Sequence, residues 1–140
     1  MRAYILATIL AAVVPAAASA QSYKAVNRLT VVPLSGSSFE VIEAYGEGPN
    51  GMWCAAADYA QRRLGARGRV YILEGRGVSQ SVSGRKSVVF TTDANSLPQG
   101  PLKSISLSTS QVGVGLPINH AIQFCRAEDF ETSENLFRWN

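Results

Sequence analysis

Histidine is almost missing from this 140-residue chain, with His120 the one example, and cysteine is scarce, with Cys54 and Cys125 the pair. No short-spaced Cys/His cluster exists, so neither a metal centre nor a cofactor is expected. Long apolar runs are also lacking. Tyr4 to Val14 is too short to span a bilayer and no later stretch approaches that length, which excludes a transmembrane anchor. An aromatic-basic strand pattern of the kind that binds nucleic acid is absent too, and nucleic acid is not an expected partner.

What is present at the start reads as an export tag. Arg2 supplies a short positive region, the apolar run follows, and Ala18-Ser19-Ala20 forms a small-residue cleavage signal. The sequence therefore predicts a signal peptide over residues 1–20, a mature chain from Gln21, and a periplasmic or secreted product. No cysteine lies near the cut, so lipid attachment is not expected. Residues 21–140 are the size of one small domain. Arg2 leaves with the tag, so twelve basic side chains face ten acidic ones, and a net +2 is too little to imply a charge-driven partner. The charges are unevenly spread: Arg62, Arg63, Arg67, Arg69, Arg76, Arg85 and Lys86 crowd the middle, and Glu128, Asp129, Glu131 and Glu134 the end.

An even cysteine pair in an exported chain predicts a Cys54–Cys125 disulfide. Closing so long a loop restricts the unfolded chain by roughly 4 kcal/mol on the entropy model.

Periodicity is mostly strand-like. Leu29–Val32 and Phe39–Ala44, separated by Pro33 and Ser35-Gly36-Ser37-Ser38, predict a hairpin. After Gly48-Pro49-Asn50-Gly51, with Asn50 placed to cap, the spacing turns helical over Met52–Leu64. Trp53, Ala56, Ala57, Ala60 and Leu64 form the apolar face, Cys54 lies at its rim, Asp58 and Arg62 take the solvent side, and Gly65 ends the helix. Arg69–Leu73, Lys86–Thr92, Ser104–Thr109 and His120–Cys125 are further strand candidates, with Ile105 and Leu107 inward. Gly75–Gly84 and Gln111–Pro117 read as mobile loops. The expected fold is α+β, one helix packed on a mostly antiparallel sheet with a single disulfide.

Four features could carry chemistry. Cys54 at a helix start with His120 opening a late strand resembles the layout of the NlpC/P60 and CHAP cysteine hydrolases of cell-wall peptides, in which the helix N-terminus lowers the thiol pKa and a histidine takes its proton. A disulfide to Cys125 would remove that nucleophile. The Glu74–Lys86 loop offers Arg76, Arg85 and Lys86 as an anion-binding surface for an envelope protein or polymer. Glu40, Glu43, Glu47 and Asp58 are candidates for the paired acids of a glycosidase, with surface decoration the stronger reading. Leu136-Phe137-Arg138-Trp139 is an apolar cluster that either folds back as a lid or docks a partner.

The leader, the Trp53-Cys54 helix ending in Leu64-Gly65, and the late Cys125 resemble small secreted proteins of alphaproteobacteria. The likeness implies the disulfide and the location but no activity. The expectation is an exported, non-catalytic binding or interaction module of the cell envelope, with the cysteine hydrolase using Cys54 and His120 as its alternative.

Overall fold

The computed structural model describes residues 21–125. The leader and the Leu136–Trp139 cluster fall outside them. Six strands form one antiparallel sheet: β1 (Tyr23–Lys24), β2 (Thr30–Pro33), β3 (Ser38–Ile42), β4 (Arg69–Val78), β5 (Lys86–Thr91) and β6 (Gly115–Pro117). Their order across the sheet is β1-β2-β3-β5-β4-β6. Helix α1 (Pro49–Arg62) packs on one face, and a short helix α2 (Ile118–Ala121) runs into a 3-10 turn, Ile122–Cys125, against it. The fold is α+β as expected.

The hairpin of β2 and β3 pairs Val31 with Val41 and Pro33 with Phe39. Alternation then sends Phe39 and Val41 toward α1, where Val88 and Phe90 of β5 and Val70 and Ile72 of β4 join them in the core. Trp53 meets Phe90 edge to face at 5.1 Å, and Tyr59 meets Phe39 at 4.6 Å. Ala55, Ala56, Ala57 and Ala60 are fully buried, and their small side chains bring the helix backbone close to its neighbours.

Helix α1 has no solvent face through most of its length: every residue from Gly51 to Ala60 is buried. Asp58, expected on the solvent side, is only 1% exposed. Its Oδ2 accepts from Tyr23 Oη at 2.8 Å and from the Val26 N–H at 3.0 Å, which ties the start of the domain across the helix. Arg62 Nε lies 2.9 Å from Oδ1 as an ion pair without hydrogen-bond alignment. The cap also differs. Gly48 is the N-cap, Pro49 occupies the first turn, and no side chain caps, so Asn50 is inside the helix. Gly65 follows the helix at φ 62°, the left-handed turn expected of it.

Two strand expectations fail for physical reasons. Ser104–Thr109 is irregular because Ser104, Ser106 and Ser108 each accept, through Oγ, the backbone N–H two residues on. These local serine turns compete with a ladder. Ile105 is consequently fully exposed instead of inward, and Leu107 gives its carbonyl to Trp53 Nε1 at 3.0 Å. His120–Cys125 is helical, following Pro117. The two expected loops are each partly strand: β4 runs to Val78 through two register shifts, and β6 takes Gly115–Pro117.

Candidate functional site

Strands β4 and β6 put Arg69, Tyr71 and Gly115 on the sheet face away from α1, because Val70 and Ile72 alternate with them into the core. Gly115 stands opposite Tyr71 in the register, and a Cβ there would lie 2.3 Å from Tyr71 Cδ1. The ring therefore rests on the glycine backbone, an approach only a residue without a side chain permits. Arg69 Nη2 donates to the Gly115 carbonyl at 2.8 Å, which holds the guanidinium beside the ring. The Pro101–Ile105 segment rises as a wall. It is tied by the Leu102 N–H to the Gly113 carbonyl at 2.9 Å and by a parallel bridge from Leu102 to Val114. Gly113, at φ 91°, is required at this crossing, since a Cβ would meet the Gly100 carbonyl at 2.9 Å.

Between floor and wall lies an open groove of about 750 Å³, lined by Arg69, Tyr71, Leu102, Lys103, Ile105 and Gly115 among others. Among the described residues, no acidic side chain lines it. Among the described residues, neither Arg69 nor Lys103 has a carboxylate partner. The arrangement offers a planar cation fixed beside an aromatic ring, a second flexible cation, and exposed apolar side chains. It suits an anion that also carries apolar surface. Sequence reasoning missed it because Lys103 and Arg69 are 34 positions apart and meet only through the path of the segment that leads into β6.

Of the predicted anion-binding trio, Arg76 is already engaged. Its Nε and Nη2 donate to Glu43 Oε2 and Oε1 at 2.6 and 3.0 Å. That hydrogen-bonded pairing, with Lys86 also near, holds the Glu43 carboxyl below the ordinary glutamate range. Arg85 and Lys86 are exposed at the end of the β4–β5 hairpin.

The hairpin itself is latched by a residue the sequence reading placed on the surface. Glu40 lies on the second face of β3 and is fully buried. Its carboxylate accepts from Ser81 Oγ and from the Gln80 N–H, the latter at 3.2 Å. Burial alone pushes its carboxyl up, but hydrogen bonds from Ser79, Ser81, Ser87 and Gln80 together outweigh that and hold it below the ordinary range. The Ser79 Oγ in turn accepts the Ser81 and Val82 N–H groups, so the segment folds as a cradle around the carboxylate.

Cys54, in the second turn of α1, is fully buried and bonded to Cys125, with Cα atoms 5.0 Å apart. His120 is exposed on α2 and packs edge to face on Phe124 at 5.7 Å. The four acids do not meet as one group: Glu40 and Asp58 are on opposite sides of the sheet, while Glu43 and Glu47 line one small pocket at the start of α1 with Arg76. Held ionised by Arg76, Glu43 is unsuited to donate the proton a glycosidase needs. Among the described residues, no three His, Cys, Asp or Glu side chains gather as a metal site, and no helix is long and apolar enough to cross a membrane.

Neither a family model, nor a curated protein, nor a solved structure matches this chain.

Proposed function

We propose that the protein is an exported, non-catalytic binding module of the cell envelope, periplasmic or secreted, that presents the Arg69–Tyr71–Lys103 groove to an anionic ligand. The observation that carries this reading is the groove itself: two cations without acidic partners among the described residues, beside apolar surface left open to water. Export is supported by the Cys54–Cys125 bond, which belongs in an oxidising compartment. The same bond speaks against the cysteine-hydrolase alternative, because a sulfur buried in a disulfide is neither a thiolate nor accessible to a substrate.

The test is the redox state of Cys54 in protein recovered from cells. Alkylation of the native protein, followed by intact mass measurement, should find a chain beginning at Gln21 with no modified thiol. Rapid alkylation of Cys54 at neutral pH would contradict the reading and favour the cysteine hydrolase with His120 as base.

A further inference from the structure

We propose that the groove over Arg69, Tyr71 and Lys103 takes an extended acidic peptide segment of a partner protein, one with a bulky apolar side chain beside its carboxylates. This rests on the binding reading above and gives the ligand a chemistry. The Gly115 carbonyl holds one guanidinium nitrogen of Arg69, so the fork is oriented before a ligand arrives, and a carboxylate can accept from its remaining N–H groups. Lys103 supplies a second, mobile cation on the facing wall. The wall also exposes Leu102 and the whole of Ile105 next to the Tyr71 ring. An apolar side chain of a peptide would cover that surface. A sugar-phosphate polymer, polar throughout, would satisfy the cations and leave the apolar wall in water. The groove volume falls within the range of about 300–1,000 Å³ that encloses small ligands, which fits a short stretch of chain.

The test is fluorescence anisotropy of the full mature protein with a labelled short peptide of alternating glutamate and leucine. Two companions carry glutamine for glutamate or serine for leucine, and polyphosphate serves as competitor. The glutamate-leucine peptide should bind about tenfold tighter than either companion and weaken as salt rises. Arg69→Gln and Lys103→Gln should each reduce that affinity several-fold, whereas Arg85→Gln should leave it unchanged. Ile105→Ser, at a fully exposed site that folding does not need, should remove the preference for leucine alone. Equal binding of all three peptides, binding that ignores Arg69→Gln and Lys103→Gln, or binding of polyphosphate without selectivity among peptides would overturn the proposal. Polyphosphate binding that falls with Arg69→Gln and Lys103→Gln but shows no selectivity among peptides removes only the peptide, whereas binding that ignores both variants removes the groove reading as well.

Discussion

The Tyr71 ring lies so close over Gly115 that a methyl group on residue 115 would stand 2.3 Å from its Cδ1. The groove floor therefore depends on a residue that contributes no side chain. Gly115→Ala should destabilise the fold by about 1–3 kcal/mol, through displacement of the ring, and should weaken ligand binding as well. Urea unfolding and tyrosine fluorescence check the stability and the ring, and peptide anisotropy checks the binding. An unchanged midpoint with an unchanged tyrosine signal would mean the ring has an alternative position at no cost.

Glu40 should govern the acid limb of stability. Its folded pKa is depressed below the ordinary value of 4.5, so its contribution is complete above 4.5 and is lost as pH falls through the folded value. Glu43 shifts in the same direction through Arg76, but that pair is exposed enough for solvent and salt to screen it. Glu40→Gln should cost about 1–3 kcal/mol near neutral pH and flatten the decline below 4.5. Hydrogen exchange at Gln80, Ser81 and Val82 should speed up in the same variant. Protection of those amides that survives the substitution would show that the cradle stands without the carboxylate.

Asp58 and Arg62 test how the helix is seated. Asp58→Ala leaves the Tyr23 hydroxyl and the Val26 N–H without their acceptor and should cost about 2–4 kcal/mol, whereas Arg62→Ala, at a largely exposed side chain, should cost about 0–1 kcal/mol. Equal losses would place the weight of the interaction on the ion pair instead of the hydrogen bonds.

Trp53→Ala should cost about 3–5 kcal/mol, since the indole is fully buried against Phe90 and its N–H holds Leu107. Cys54→Ser should cost about 2–5 kcal/mol, and non-reducing peptide mapping should link Cys54 to Cys125. Denaturant titration at fixed pH measures both variants.

How much of this was legible in the sequence follows from where local and tertiary forces agree. The β2–β3 hairpin, α1, β5 and the disulfide were readable because period, breakers and cysteine count all pointed one way. Ser104–Thr109 alternates like a strand, yet its serines satisfy their own backbone, a competition that hydrophobic period does not record. Asp58 follows Cys54 at helical spacing on what should be a wet face. The tertiary placement of Tyr23 and Val26 against it is not visible in the helical period. The groove was illegible for the same reason, as Arg76 looked free in a loop and is paired to Glu43, while Arg69 and Lys103 looked unrelated and share a cavity.

The central claim, binding without turnover through this groove, is tested most directly by one side-by-side measurement. Wild type, Arg69→Gln/Lys103→Gln and His120→Ala are each incubated with isolated envelope material and peptidoglycan fragments, and retention and fragment cleavage are read together. The account predicts no cleavage by any of the three, with retention lost in the Arg69/Lys103 variant and kept in His120→Ala. Cleavage by the wild type that disappears in His120→Ala, with retention indifferent to Arg69 and Lys103, would contradict it.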